Sequence, residues 1–240
     1  MSRDVRILEI DPELGLRIPA SEIGRARAAL TARVASLPCG RWEVPHDDDL
    51  GAVGFLMIEG LLARDVVLAG HTATELIGEG DVLQPWSPSR DEGLVRYHVL
   101  WHVLAPVKLA TLDTKLTRAL AEFPQVTGAL LERAMRRTLR MSLHQALLQL
   151  SPVETRLLVL FWYLAERWGH VTPDGIAVRL RLSHEVLGQL VGSQRASVTT
   201  GLRHIDESGR VVRRADGSWL LRGSPPDELA GIDWHQQAVV

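Results

Sequence analysis

The sequence predicts an α+β protein with an antiparallel β-rich domain, a long central helix and a small mixed module after it. Three observations support this prediction. Short β-rich runs, broken by Gly, Pro and Asp, occupy residues 41–112, a helical apolar pattern covers 124–150, and two short helical segments with a hairpin signal lie between 183 and 221. A chain of 240 residues with 46% hydrophobic side chains can bury a core in each of two domains.

Composition and charge are those of an ordinary globular protein. No apolar run approaches the roughly 20 residues that a membrane-spanning helix needs. The charged N-terminus, MSRDVRILEIDPELG, has no apolar segment of the kind found in secretory signals. Cys39 is the only cysteine, which excludes an internal disulfide and a multi-cysteine iron–sulfur site. We therefore expect a soluble cytoplasmic protein without a membrane partner.

The first 123 residues are predicted to form a β-rich domain that begins with a helix. In ASEIGRARAALTARVASL (20–37) four apolar side chains recur at helical spacing, with Ser21 as N-cap: Ile23, Ala26, Leu30 and Val34. The β-rich runs that follow are 53–58, 65–69, 75–77, 95–104 and 107–112. Strands at this spacing indicate an antiparallel sandwich or barrel.

Two helices are predicted next, from Leu112 to Glu122 and from Pro124 to Leu150. Pro124 suits a first helical turn, where its missing N–H is not needed. Steps of four and three place one seam on the second helix: Thr127, Leu131, Ala134, Thr138, Met141, Gln145 and Leu148. A second stripe is expected to cover the helix's own domain: Leu130, Leu143, Leu147 and Leu150. Two stripes favour a homodimer, with 124–150 as the dimerisation helix, over one amphipathic helix packed on its own core.

A second domain is predicted over residues 151–222, followed by an acidic tail over 223–240. SPVETRLLVLFWYLAERWG has the pattern of a helix with Ser151 as N-cap, Pro152 at the first position and Gly169 at the end. VTPDGIAVRL then predicts a hairpin that turns at Pro-Asp-Gly. The domain has 10 arginines against seven acidic residues, a net charge of +3, whereas the tail has three acidic residues and no basic one.

The stretch LSHEVLGQLVGSQRASVTTGL predicts two helices joined by a tight turn. Ser183 is the expected cap of the first helix, Gly192 accepts the left-handed backbone of the turn, and Ser193 begins the second. The second helix would bury three apolar side chains: Val198, Leu202 and Ile205. VVRRADGSWLL adds a β-hairpin around Asp-Gly. Helix, turn, helix and hairpin together form the layout of a winged helix-turn-helix.

The side chains that the second helix leaves exposed are of the types that read DNA. Arg195 has a guanidinium fork that can bond guanine O6 and N7 together. Four polar neighbours can hydrogen-bond bases or phosphates: Gln194, Ser197, Thr199 and Thr200. Three further arginines can neutralise phosphates: Arg203, Arg213 and Arg214. We therefore predict double-stranded DNA as the partner, with a helical hairpin that does not bind DNA as the alternative.

Residues 182–211, LSHEVLGQLVGSQRASVTTGLRHIDESGRV, closely resemble the helix-turn-helix of the Crp–Fnr transcription regulators, in which Val-Gly is followed by Arg-x-Thr/Ser-Val. LIGEGDVLQPW (76–86) is similar to the Gly-x-Gly-Asp turn of that family. The resemblance covers most of 40–222. It implies a cyclic-nucleotide-binding-like β-roll as sensor domain in 1–123, a homodimeric regulator and a near-palindromic operator, with RNA polymerase as a further candidate partner.

The resemblance also implies that Arg195 is the family's base-contacting arginine. Ala196 and Thr200 stand where many members have glutamate and arginine, so the operator sequence cannot be transferred. The Gly-Glu and Arg-Ser/Thr-Ala segments that grip cyclic nucleotides are missing after Asp81, and Arg90 is the only arginine before the next predicted strand. We expect no cyclic-nucleotide response through the usual phosphate cassette and no iron–sulfur cluster, and the effector stays unknown.

Two other classes of function stay open. His98 and His102 lie on one face of a predicted strand, so a metal-dependent, cupin-like β-barrel enzyme is one alternative. A regulator that acts through protein contacts without DNA is the other. HDDD (46–49) is expected to be a solvated turn. No Ser-His-Asp set, P-loop or paired-carboxylate motif is visible, so we expect no enzymatic activity.

Overall fold

The α+β class is confirmed by a computed structural model, which describes residues 3–44, 54–85, 94–226 and 229. The HDDD segment, the Arg90 loop and most of the acidic tail lie outside the described residues. The chain forms two compact units, Met1–Ser142 and Leu143–Val240. None of the described helices has both the length and the apolar character needed to cross a bilayer.

The first unit is built on one antiparallel sheet. Its strands are β1 (Arg3–Arg6), β2 (Thr31–Leu37), β3 (Gly40–Arg41), β4 (Gly54–Leu68), β5 (His71–Gly78), β6 (Val82–Leu83) and β7 (His98–Leu112). The order across the sheet is β1-β2-β7-β4-β5, with β3 on β7 and β6 on β4. The helices that surround it are α1 (Ile7–Ile10), a 3-10 turn (Pro12–Gly15), α2 (Ile23–Ala29), α3 (Thr114–Leu120) and the first part of α4 (Pro124–Leu147).

The helix predicted over 20–37 is wrong in its second half. It ends at Ala29, its N-cap is Glu22 rather than Ser21, and Thr31–Leu37 form β2. β2 pairs with β1 on one side and with β7 on the other, where Val34 lies opposite Ala110. Two ladders of sheet hydrogen bonds, together with the β-branched side chains, outweigh the helical spacing of the apolar residues.

β4 and β7 are each continuous for 15 residues, where the sequence predicts shorter runs. Gly60 does not end β4, because the register against β7 shifts around it and the strand continues through a bulge. Its φ of +99° and an ideal Cβ position 2.2 Å from the Pro106 carbonyl oxygen admit only glycine. The predicted breaks are therefore irregularities within two long central strands.

Two apolar clusters hold the first unit together. One joins the N-terminal helices to α3 and the start of α4, with Leu14, Leu30 and Phe123 almost completely buried. The other fills the sheet around Leu62 and Trp101. The helix predicted from Leu112 is shorter than expected: Asp113 caps α3 by accepting a hydrogen bond from the Leu116 N–H at 2.9 Å.

Arginines on the buried face of α4 pair with carboxylates of the sheet and the N-terminal turn. Arg137 donates to both oxygens of Glu75, at 2.7 and 2.8 Å, and to the Val82 carbonyl at 3.0 Å. Arg64 reaches the same Glu75 at 2.8 Å. Burial lowers the pKa of Arg64, whereas the hydrogen bonds and charge of Glu75 outweigh burial and raise the pKa of Arg137.

Two further arginines extend this cluster along the helix. Arg133 donates to Asp11, and Arg140 to Asp81, a carboxylate that is only 3% exposed. Asp81 also accepts the Gly78 N–H at 3.0 Å, within the Gly-Glu-Gly-Asp turn between β5 and β6. Arg133, Arg137 and Arg140 recur at helical spacing, so one face of α4 is fixed to the first unit by charge-assisted hydrogen bonds.

The second unit combines a helical core with a four-stranded sheet. Its elements after α4 are α5 (Val153–Trp168), β8 (Gly169–Thr172), β9 (Gly175–Val178), α6 (His184–Leu190), α7 (Arg195–Glu207), β10 (Val211–Arg213) and β11 (Trp219–Leu221). The strand order is β10-β11-β9-β8. Ser151 is not the N-cap of α5: Pro152 occupies that position, and no side chain caps the helix. Both predicted hairpins are confirmed.

Gly188→Ala is expected to lower the free energy of unfolding of the second unit by about 1–3 kcal/mol. A Cβ at Gly188 in α6 would lie 2.7 Å from the Ser193 carbonyl oxygen, so the turn after α6 would have to move. Urea titration of the full chain measures the change. Glu185→Ala, an exposed position on the same helix, is the matched control and should stay within about 0.5 kcal/mol. Equal losses in both variants would contradict the assignment of this close contact.

Candidate nucleic-acid interface

α6 and α7 are joined by a tight turn whose geometry follows from its residues. Ser183 caps α6 by accepting the Val186 N–H at 3.2 Å. Gly192 has a φ of +59°, and the Ser193 N–H bonds the Gly188 carbonyl at 2.8 Å. The predicted left-handed turn at Gly192 is therefore confirmed, although α7 begins at Arg195, two residues later than expected.

α7 buries one face and exposes the other. Val198, Leu202 and Ile205 are all at most 7% exposed, and Gly201 allows α7 to approach Leu157 of α5 closely. All eight side chains predicted to contact DNA lie at the surface: Gln194, Arg195, Ser197, Thr199, Thr200, Arg203, Arg213 and Arg214. The helix can thus keep its apolar face on the unit while it offers polar groups to a partner.

The hairpin of β10 and β11 places further arginines beside the helix pair. Arg213 lies over the ring of Trp219, 5.4 Å from its centroid, and Arg214 follows at the start of the turn. Asp216 closes the turn by accepting hydrogen bonds from the backbone N–H and the hydroxyl of Ser218. The wing therefore has a fixed shape and a positively charged edge.

His184 belongs to the candidate interface, although the sequence pattern does not predict it. Its Nδ1 lies 2.9 Å from the Thr199 hydroxyl of α7. Burial lowers the pKa of His184, and the positive charges of Arg213 and Arg195 lower it further. His184 therefore lies where α6, α7 and the wing meet. Its place directly after the N-cap Ser183 is the one sequence signal that could have drawn attention to it.

Most of the predicted seam of α4 is solvent-exposed, including Thr127 and Met141. Leu131 is 61% exposed, and Thr138 and Gln145 are also exposed. Ala134 and Leu148 are half-buried, with Leu148 lying against Gly192 in the second unit, and Met141 accepts a hydrogen bond from Arg64.

The exposed apolar stripe of α4 consists of Leu131 and two residues outside the predicted seam, Met135 and Leu139, which are 66% and 62% exposed.

The second predicted stripe is correct for two of its members. Leu130 and Leu147 are buried, at 7% and 5% exposed, whereas Leu143 is 51% exposed. The expectation that Leu143 covers the helix's own domain is therefore wrong. Leu150 lies beyond the end of the helix and is half-buried.

The two histidines considered as metal ligands lie on β7. His102 Nδ1 is 3.0 Å from Asp65, whose other oxygen accepts a hydrogen bond from Thr74 at 2.6 Å. His98 is exposed near the start of the strand. Within the described part of the chain, no three His, Cys, Asp or Glu side chains are grouped so as to hold a metal ion.

Comparisons with known proteins find similarity in sequence over part of the chain and in fold over most of it. No model of a known protein family matches the chain. The global nitrogen regulator of Synechococcus elongatus is 29% identical over 117 residues, which are 48% of this chain and 52% of that protein. The chain thus spans about half the length of the curated relatives it matches.

Solved structures share the fold over most of the chain. A cyclic nucleotide-binding domain containing protein from Listeria monocytogenes has a TM-score of 0.66 at 13% identity, over 92% of this chain and 99% of that one. A CRP-family transcriptional regulator from Thermus thermophilus has a TM-score of 0.54 at 18% identity, over 78% and 91%. The predicted resemblance to the Crp–Fnr regulators is confirmed at the level of the fold, with a cyclic-nucleotide-binding-like domain before a winged helix-turn-helix.

Proposed function

We propose that the chain is a sequence-specific, DNA-binding transcription regulator that acts as a homodimer on a near-palindromic operator. The observation that carries the proposal is the surface formed by α7 and the wing, where every predicted DNA-contacting side chain is exposed and none is needed for the core. Residues 151–222, which contain this surface, have a net charge of +3. A regulator of this kind works in the cytoplasm, and RNA polymerase is a further candidate partner.

The chemistry of this surface matches the edges of the DNA major groove. Arg195, at the start of α7, can bond guanine O6 and N7 with its two-pronged guanidinium. Gln194, Ser197, Thr199 and Thr200 can donate to or accept from bases and phosphates. Arg203, Arg213 and Arg214 are placed to neutralise phosphates on either side. This division assigns sequence recognition to α7 and most of the affinity to the arginines around it.

A homodimer explains why α4 keeps apolar side chains at the surface. Leu131, Met135 and Leu139 follow one another at steps of four and form a continuous exposed stripe. Such a stripe is buried when two copies of the helix pack together. Two copies of α7, related by a two-fold axis, would enter successive major grooves about one helical turn apart, so the operator would be nearly palindromic.

Leu131→Glu is expected to convert the dimer to a monomer, because two-fold symmetry places each added carboxylate near its copy in the seam. Analytical ultracentrifugation of the full chain measures the change in mass. Val171→Glu is the matched control, since Val171 is 89% exposed and lies on β8 rather than on α4. A wild-type monomer, or a dimer that survives Leu131→Glu, would contradict the role of this stripe.

We further propose that the regulator does not respond to cyclic nucleotide through the usual phosphate cassette. Glu75, three residues before the Gly-Glu-Gly-Asp turn, and Asp81, the last residue of the turn, are already paired with arginines of the same chain, Arg137 and Arg140. A bound phosphate would have to compete with these carboxylates for the arginines. The effector, if one is needed, is then of another kind.

The experiment that tests the proposed function is enrichment of genomic DNA fragments on the purified, effector-free full chain. Recovery of a near-palindromic motif by wild type and its loss in Arg195→Ala is the expected result. Enrichment of no motif would contradict DNA binding in the absence of effector. An unchanged regulatory effect of Arg195→Ala in cells would instead favour the alternative, a regulator that works through protein contacts.

A further inference from the structure

His184 is an ionisable side chain of this surface whose charge can change near neutral pH, unlike that of the arginines beside it. It belongs to α6, bonds Thr199 of α7 and lies close enough to Arg213 of the wing to feel its charge. Three elements of the predicted DNA surface therefore meet at one imidazole. This site depends on the proposed function, since DNA is the partner that this surface would take.

The hydrogen bonds around Thr199 fix which ring nitrogen of His184 carries the hydrogen. The Thr199 hydroxyl donates its single hydrogen to the Arg195 carbonyl oxygen at 3.0 Å. It must then accept from His184 Nδ1, which therefore bears a hydrogen. Among the described residues, Nε2 has no hydrogen-bond partner. In the neutral ring Nε2 is an acceptor, and protonation turns it into a donor.

The charged groups near His184 do not act equally on its pKa. Arg195 on α7 and Arg213 on β10 are both positive and disfavour the imidazolium ion, and burial acts in the same direction. Glu185, the next residue of α6, is exposed and is not among the groups that shift the pKa. In the free protein His184 is thus held neutral beside two cations, a site in which an added anion would be strongly favoured.

The DNA backbone supplies such an anion at this place. In helix-turn-helix complexes the first helix crosses the backbone while the second lies in the major groove. α6 is the first helix here, and His184 is its first residue, near Arg195 of α7 and Arg213 of the wing. We infer that His184 binds a backbone phosphate through Nε2 as the imidazolium ion, so that DNA binding takes up a proton.

The sign of the pH effect follows from this uptake. The pKa of His184 is lowered in the free protein, and a phosphate within hydrogen-bond distance raises it in the complex. Between these two values the complex binds more protons than the free protein does. Affinity therefore increases as pH falls through this window, by up to about tenfold per pH unit for each bound protomer, and becomes independent of pH outside it.

The test measures dissociation constants of the full-length protein for a labelled duplex of about 30 base pairs, long enough for two half-sites one turn apart. The duplex carries the enriched motif, and a random-sequence duplex is run beside it. Fluorescence anisotropy is recorded at constant ionic strength between about pH 5.5 and pH 7.5, the range in which histidines titrate. His184→Gln keeps a donor for Thr199 and stays neutral, whereas His184→Arg stays charged. His204→Gln is the matched control on α7.

When the pH is lowered across this range, the affinity of wild type is expected to increase about tenfold more than the affinity of His184→Gln does. His204→Gln should show the same dependence of affinity on pH as wild type. His184→Arg should bind tightly at both ends of the pH range, and its affinity should change with pH as little as that of His184→Gln. Equal slopes for wild type and His184→Gln would overturn the inference and leave His184 as a support for Thr199 only. No binding of either duplex by wild type at any pH would instead contradict the proposed function itself.

Discussion

Replacing Arg195 with alanine is expected to weaken binding of the specific operator by about 1–3 kcal/mol per half-site, or roughly 5- to 150-fold. Arg195 is exposed at the first position of α7, and its side chain takes no part in the core of the second unit. Alanine keeps the helix but removes the fork that bonds guanine O6 and N7. The loss should therefore fall on sequence-specific binding.

The control for this prediction is Arg203→Ala, farther along the same helix. Arg203 has only a loose, exposed ion pair with Glu207, at 3.8 Å, and is assigned to phosphate neutralisation. Its removal should weaken specific and non-specific binding alike and reduce the slope of log affinity against log salt concentration by about one per half-site. If Arg195→Ala also weakened both kinds of DNA equally, Arg195 would be a phosphate contact and the assigned base readout would be wrong.

Replacing Arg137 with alanine is expected to lower the free energy of unfolding of the first unit by about 3 kcal/mol, the low end of the range for a broken buried ion pair. The Arg137 side chain is 12% exposed and makes three hydrogen bonds, two of them to Glu75. Alanine leaves Glu75 half-paired and the Val82 carbonyl without this donor. Arg64 still reaches Glu75 at 2.8 Å, which keeps the loss from being larger.

Urea titration of the full chain measures this loss, with Arg136→Ala as the matched control. Arg136 is the adjacent residue of α4 and is exposed, so its replacement should change stability by less than about 0.5 kcal/mol. A double replacement, Arg137→Met with Glu75→Gln, should recover part of the loss because the carboxylate is no longer left charged. Similar losses for Arg136→Ala and Arg137→Ala would show that the ion pairs of α4 do not stabilise the unit.

The sequence predicted the second unit well because its signals are local. Ser183, Gly192 and the Asp216-Gly217 turn each specify a cap or a reversal within a few residues, and the structure has each of them in place. The exposed face of α7 followed directly from the spacing of Val198, Leu202 and Ile205. His184 was missed because its neighbours Arg195 and Arg213 come from two later elements.

The first unit was harder to predict because its decisive contacts join distant residues. Thr31–Leu37 becomes a strand through pairing with β1, near the N-terminus, and with β7, some 75 residues later. The orientation of α4 depends on pairs such as Arg133 with Asp11 and Arg140 with Asp81. Counting apolar side chains alone does not reveal these ion pairs. The predicted seam therefore leaves out Met135 and Leu139, which the structure exposes together with Leu131.

The most direct test of the central claim is the ratio of two dissociation constants for the full-length protein, measured at one salt concentration. One duplex carries the enriched near-palindrome, and the other has the same base composition in scrambled order. Sequence-specific regulators bind their operators at least about 10³-fold more tightly than other DNA, and we predict a ratio of that order. Equal constants for the two duplexes would contradict the account, because α7 would then bind DNA only by charge.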